Sequence, residues 1–387
     1  MKKIYLDNSA TTRICEEALE KYIEVSRECY GNPSSLHSMG YEAEKILNNA
    51  RSEICASLGV KGASVIFTAS GTEANNLAII GRATAKERYK RGAKIITTMG
   101  EHASVDAPLR LLESMGYKIA RIPTVGGELD TASLEKELTS DVILVSMMMV
   151  NNETGALYDT GTVKNLIKAK CPDALLHVDA TQSYLKLPFT KASSGWDMIT
   201  ISSHKIEGPK GVGALVVDST VMKAKGLAPL TLGGGQEGGM RSGTENVPGI
   251  AAFGEAVRLG YSNLGARYKA LTELRAYLVS RISEELPEIK ILSPKANAPH
   301  IVNITLPKIK SETMLHYLSS LGIFVSSGSA CSSNGGHLSS ALINFGKSES
   351  EADSSIRISL SYRNTREDID GLVDGLKSGL SKLSRMR

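Results

Sequence analysis

The sequence has no apolar stretch of membrane-spanning length, and its opening, MKKIYLDNSATT, lacks a hydrophobic signal core. A spanning helix needs about 20 consecutive apolar residues, and a secretory leader needs an apolar block behind its basic start. The chain is therefore expected in the cytoplasm, with no membrane partner. Cysteine is sparse: five residues, at positions 15, 29, 55, 171 and 331, with no CxxC pair among them. An odd, scattered set argues against a disulfide framework and against a structural zinc site, so no metal is expected. The triplet Asn152-Glu153-Thr154 spells a glycosylation acceptor, but it has no meaning in that compartment. There is no arginine-rich run and no basic stripe with aromatics, and a formal charge of only +4 is spread along the chain, so nucleic acid is not expected as a partner. Repeats and low-complexity tracts are also missing.

What is present reads as a large soluble enzyme: 387 residues, 42% apolar and 22% charged. The runs SVIFTA, AKIITTM, DVILVSMMMV, ALLHVDA, WDMITIS and GALVVD are predicted strands. Several are apolar throughout rather than alternating, which marks strands covered on both faces, as in an α/β fold with a mostly parallel sheet. Segments such as TASLEKEL and GTVKNLIKAK supply amphipathic helices to cover it. Beyond the glycine-rich break at 233–243, the stretch IAAFGEAVRLGYSNLGARYKALTELRAYLVSRISEEL predicts a long helix, interrupted or kinked at its glycines. The strand signals HIVNITL, GIFVSSG and SSIRISLS follow, and an amphipathic helix closes the chain. The expected organisation is a large α/β domain over 15–255. A smaller α+β domain is expected from 1–14 and 256–387.

In open α/β sheets ligands bind beyond the carboxyl ends of the strands. The first predicted strand is followed by Ser70, Gly71, Thr72 and Glu73 at a helix start, where free N–H groups and the helix dipole suit a phosphate. An ordinary helix cap explains this turn equally well. Other strands are followed by Glu101 and His102, by Asn151, Asn152 and Glu153, by Asp179 and Gln182, and by Ser202, Ser203, His204 and Lys205. Each alone has a plain explanation as loop polarity. Together they deliver an imidazole, an amide, a carboxylate and a lysine to one edge. That set is what pyridoxal 5′-phosphate needs: a lysine for its aldehyde, a carboxylate to keep the ring nitrogen protonated, a flat group over the ring and a cradle for the phosphate.

The motifs YLDNSATT, GNPSSLH, SGTEANNLAI, EHASV, NNETG, HVDATQ, SSHKIEGPKG, RSGTEN, SSGSACSS and SSIRISLS occur in this order from residue 5 to the last helix. In this the chain resembles the cysteine desulfurases, within the class V aminotransferases of pyridoxal-phosphate fold type I. The resemblance implies the following roles. Lys205 anchors the cofactor, Asp179 pairs with its pyridinium, and Gln182 reaches the ring oxygen. His102 stacks on the ring and moves protons. Asn152 borders ring and substrate. Gly71, Thr72, Ser202, Ser203 and His204 surround the phosphate, which Thr244 reaches from the neighbouring subunit of a homodimer. Arg357 grips the substrate carboxylate, for which a guanidinium fork is suited and lysine is not. Cys331, in SSGSACSSNGG, is the nucleophile on a long mobile loop. It converts L-cysteine to L-alanine and carries the sulfur as a persulfide to an acceptor protein, for iron–sulfur cluster or thiolation pathways.

Three positions depart from the family pattern. Ser70 replaces a usual glycine, Glu207 a usual aromatic or histidine, and Ser361 a frequent glycine. The chain also ends at Arg387, where relatives that serve the general iron–sulfur scaffold often continue. GGGQEG at 233–238 matches GxGxxG, but no strand precedes it and no βαβ unit surrounds it, so no dinucleotide site is expected. A selenocysteine lyase or another class V enzyme is the alternative activity. A cofactor-free interaction module is the alternative from outside enzymology, and the intact Lys205, Asp179 and His102 speak against it.

Overall fold

A computed structural model describes residues 3–85, 93–327 and 339–383. A short strand, β1 (Ile4–Tyr5), precedes two helices, α1 (Glu16–Glu28) and α2 (Ser38–Ser57). Strands and helices then alternate: β2 (Ser64–Thr68), α3 (Gly71–Thr84), β3 (Lys94–Thr98), α4 (Ala103–Ser114), β4 (Lys118–Ile122), α5 (Thr131–Glu137), β5 (Val142–Met148), α6 (Thr160–Lys170), β6 (Leu175–Asp179), α7 (Lys191–Ser194), β7 (Met198–Ser202) and β8 (Gly213–Val217). Three helices follow, α8 (Ser219–Lys223), α9 (Val247–Ser262) and α10 (Leu264–Glu285). The last part holds β9 (Lys290–Ile291), β10 (Ile301–Thr305), α11 (Ser311–Ser320), β11 (Ile323–Phe324), β12 (Ser326–Ser327), α12 (Ser340–Phe345), α13 (Glu349–Asp353), β13 (Ser355–Ser359) and α14 (Arg366–Leu383).

The main sheet has seven strands in the order β2-β8-β7-β6-β5-β3-β4. Only β8 runs against its neighbours; every other pairing is parallel. All residues of β5, β7 and β8 are buried, which explains their uninterrupted apolar sequences. The six strands read from the sequence all lie in this sheet. The seventh, β4, escapes the apolar pattern because it is an edge strand: Lys118 is exposed and only Ile122 is fully buried. Two apolar cores cover the two faces of the sheet, one centred on residues such as Ile199, Trp196 and Phe253, the other on Ile95, Leu109 and Leu215.

A third core gathers Leu6, Leu278, Ile304, Ile356 and Leu372 around the antiparallel sheet β12-β13-β10-β9. Its partner ribbon is the parallel pair β1 and β11, which joins residues 4–5 to residues 323–324. The core changes at Asn263, between α9 and α10. The expected helix interruption therefore occurs at Asn263 (φ −109°, ψ 8°) and not at a glycine. Gly254 and Gly260 lie inside α9 for packing: a Cβ at Gly254 would come within 2.9 Å of the Ala50 Cβ on α2, and one at Gly260 within 2.9 Å of Leu185.

This contrast gives a test. Gly254→Ala forces α9 off α2 and is expected to destabilise the fold by about 1–3 kcal/mol. Gly265→Ala, whose Cβ would meet nothing within 4 Å, is expected to be neutral or stabilising by about 0.5–1 kcal/mol. Urea-unfolding midpoints of the two variants compare them directly.

Candidate active site

A cavity of about 480 Å³ opens over the ends of β5, β6 and β7 and the start of α3. Its walls bring together Gly71, Thr72, His102, Asn152, Asp179 and Gln182, together with Ser202, His204, Lys205 and Arg357. Parallel pairing accounts for this convergence, because β3, β5, β6 and β7 all finish at the same edge.

Asp179 is the last residue of β6 and is buried. Its Oδ1 accepts the Thr181 N–H at 2.9 Å and its Oδ2 accepts the Asn75 Nδ2–H at 2.8 Å. The carboxylate is thus fixed by donors on both oxygens, in a site where burying it unpaired would be costly. His102 caps α4, with Nδ1 accepting the Ser104 N–H at 3.1 Å. Burial holds its imidazole below the usual histidine range.

The N-terminal segment crosses the cavity floor. The Lys205 Nζ donates to the carbonyls of Ser9 (2.6 Å) and Ala10 (2.8 Å), and Gln182 Nε2 donates to the same Ser9 carbonyl at 2.9 Å. Lys186 supports Gln182 from behind, its Nζ 3.0 Å from Oε1. On the opposite wall Arg357, only 5% exposed, donates from Nη2 to Asp7 Oδ1 at 2.8 Å and from Nη1 to the Asn152 carbonyl at 3.0 Å. Its Nε–H has no partner among the described residues. Positive charge is concentrated here. Burial and then Lys205, Lys210 and Lys186 push His204 down to about 4. Burial, Lys205 and Arg357 push Lys186 down to about 7. Such a field favours an anionic ligand.

The α3 end of the cavity forms a small-residue cradle. Ser70 is the N-cap, its Oγ accepting the Glu73 N–H at 3.2 Å. Its φ of −170° is extended backbone, so the serine in place of the usual glycine carries no conformational cost. A Cβ at Gly71 would lie 3.3 Å from both the Ser202 Cβ and the Thr181 Oγ1, and one at Gly213 only 2.6 Å from the Ser70 carbonyl carbon. The Ser202 Oγ is buried and has no protein partner among the described residues. A donor-rich turn with an unsatisfied hydroxyl and a positive field fits a phosphate. Asp179, Lys205 and His102 fit the ring that pyridoxal phosphate would place beside it.

Not every candidate faces the cavity. Ser203 is fully buried and packs against Gly208. Thr244 is exposed and borders a separate pocket of about 200 Å³ with Phe67 and Arg241. Cys331 lies outside the described residues. Asn151 holds the following turn, its Oδ1 accepting the N–H groups of Glu153 and Thr154, each at 2.9 Å. Glu207, the second departure, adopts φ 68° and buries its carboxylate against Arg363 Nε (2.7 Å) and the Tyr362 hydroxyl (2.5 Å), with Arg267 at 3.5 Å. Its partners lie far away in sequence, so no local pattern announces the cluster. The sequence also gave no warning of Asp7, Ser9 or Asn75. These are ordinary polar residues whose roles arise only from distant packing.

Glu101 sits beneath the strand ends rather than in the cavity, accepting the Thr98 hydroxyl at 2.6 Å and the Met148 N–H at 3.0 Å. Burial pushes its carboxyl up to about 8 from an ordinary 4.5. The folded state then keeps a proton that the unfolded chain releases. Its stabilising contribution is complete below about pH 4.5 and is lost as pH rises through about 8. Glu101→Gln is expected to flatten the decline of the urea midpoint between about pH 5 and pH 8. An unchanged slope would remove Glu101 as its source.

Comparison with known proteins agrees with this geometry. The family model Aminotransferase class-V matches residues 4–372. The chain is 36% identical over 384 residues to a Dictyoglomus turgidum protein named cysteine desulfurase IscS, covering 99% of this chain and 95% of that one. A solved NifS-like protein superposes with a TM-score of 0.90 at 35% identity, covering 99% of this chain and 100% of its own. A NifS-like protein from Rickettsia africae gives 0.87 at 33% identity, covering 98% and 100%. Cavity, sheet order and full-length similarity all point the same way: the chain belongs to the class-V aminotransferase family.

Proposed function

We propose that the protein is a pyridoxal-phosphate-dependent cysteine desulfurase, acting as a cytoplasmic homodimer that passes sulfur to an acceptor protein. One observation carries this reading. Lys205, Asp179 and His102 share a cavity with the carboxylate-sized fork of Arg357, at a strand edge that ends in a phosphate-type cradle. The full-length likeness to proteins named cysteine desulfurase gives it further support.

Lys205 would anchor the cofactor aldehyde, Asp179 would hold the ring nitrogen and Gln182 the ring oxygen. Gly71, Thr72, Ser202 and His204 would hold the phosphate, and Ser203 would keep their turn in shape. Thr244 would serve the phosphate of the partner subunit, consistent with its position on the surface. When bound, the group supplies the electron sink that makes the α-proton of an amino acid removable and weakens the bond to the side-chain sulfur. Arg357 and Asn152 orient the substrate carboxylate, and the unpartnered Nε–H of Arg357 is a donor ready for it. The Lys205 amine accepts the α-proton, and His102 lies against the reacting face. Cys331 supplies the thiolate, since a thiol is a poor nucleophile. The balance is L-cysteine plus the Cys331 thiol giving L-alanine plus the Cys331 persulfide.

Incubation of the purified protein with L-cysteine and a thiol reductant is expected to release alanine and sulfide in equal amounts. Cys331→Ala should retain the yellow cofactor and lose sulfide release; normal turnover in that variant would exclude Cys331. Lys205→Ala should lose the borohydride-reducible link between protein and cofactor. Arg357→Lys should raise KM for L-cysteine about tenfold or more, because an ammonium lacks the planar guanidinium that bonds Asp7 and Asn152 while offering an Nε–H to the substrate.

A further inference from the structure

We propose that Asn75 and Ser104 are positioning residues. They reinforce the His102 tautomer with hydrogen on Nε2, which the backbone N–H of Ser104 sets, and tie the ring to Asp179 through one buried chain of hydrogen bonds. The proposal deepens the reading above, in which His102 and Asp179 flank the cofactor ring.

The chain begins at a group whose role is fixed. A backbone N–H can only donate, and the Ser104 N–H lies 3.1 Å from His102 Nδ1. Nδ1 must therefore present its lone pair, and the hydrogen of a neutral ring sits on Nε2. The Ser104 Oγ is 2.9 Å from the same nitrogen. It also accepts the Asn75 Nδ2–H at 2.8 Å, which leaves its own hydrogen for Nδ1. Asn75 donates again to Asp179 Oδ2 at 2.8 Å. A carboxylate oxygen only accepts, so the amide is oriented with its NH₂ inward; the flipped amide would set two acceptors face to face.

The arrangement has a cost that identifies it. Asn75 is 1% exposed, and its Oδ1 is buried with no partner among the described residues. An apolar side chain would fill this inner face of α3 without stranding a carbonyl. The amide is explained by its two N–H bonds, one to each neighbour in the chain. Asn75 is the fifth residue of α3 and Ser104 the second of α4, so the link joins the N-terminal parts of two helices.

A proton added at Nδ1 would have to displace the Ser104 N–H. His102 is therefore held as a neutral ring that presents an N–H donor at Nε2; losing that hydrogen with Nδ1 unprotonated would leave an imidazolate, so the ring orients and donates rather than carrying a proton away. The charges around it are Asp179, which favours the protonated ring, and Lys205 and Arg357, which oppose it, with burial opposing it most.

The test is ¹⁵N NMR of the full chain with labelled histidine, as purified and after cofactor removal, with His102→Gln identifying the signal. Near pH 7 the wild type is expected to show unprotonated Nδ1 and protonated Nε2. Asn75→Leu and Ser104→Ala keep the backbone N–H of position 104, so they are expected to keep this tautomer while shifting the Nδ1 signal, which loses its ordered hydroxyl donor. Their turnover should fall about ten- to hundredfold in kcat with KM little changed, and Ser104→Thr should restore it. A wild-type Nδ1–H tautomer or an imidazolium near pH 7 would overturn the proposal. So would an Nδ1 signal unaltered in both variants. The wild-type spectrum decides even where a variant does not fold. Because that spectrum needs no substrate, a protein inactive on L-cysteine would defeat the proposed function alone.

Discussion

Parallel pairing imposes one condition from which the rest of the site follows: β3, β5, β6 and β7 must end together. Main-chain carbonyls, helix starts and polar side chains then crowd one edge of an otherwise apolar sheet. Each polar group brought there needs a partner or pays heavily for burial. Asp179 finds two N–H donors, Arg357 finds Asp7, and Lys205 finds the carbonyls of the N-terminal segment. The cavity is thus a solved problem in satisfying polar groups before it is a chemical site.

Charge balance shapes the same region. Lys205, Lys186 and Arg357 stand close enough to depress one another's neighbours, and burial adds to the effect at His204 and Lys186. Asp179 and Asp7 offset part of it inside the cavity. Glu207 does the same just outside, where it collects Arg363, Arg267 and Tyr362. A glutamate at this position looks like an arbitrary replacement in the sequence. In the structure it is the centre of a cluster that fastens the segment after Lys205 to the loop after β13.

The strands of the main sheet were legible because a strand buried on both faces must be apolar at every position. The residues that follow them were legible because polar groups at strand ends have few structural duties. β4 was not, since an edge strand is half solvated and carries Lys118 and Arg121. The helix break was misplaced because glycine signals either flexibility or close approach, and at Gly254 it signals approach to Ala50. Nothing in the sequence singled out Asn75 or Ser104. Only the folded geometry sets one between Asp179 and the other, and sequence spacing holds no trace of that.

The opening segment has a consequence for how the protein is made. Asn8 donates its side-chain amide to the carbonyl of Ser359, 351 residues away, and Leu6 pairs with Phe324. Residues 6–8 therefore wait for partners made much later in the chain. Domains generally fold as units during synthesis, and contacts of such long sequence separation close late. The seven-stranded sheet can form while the floor of the cavity is still missing. Capture of a small anionic ligand is thereby deferred until the strand that carries Arg357 and Ser359 has been made.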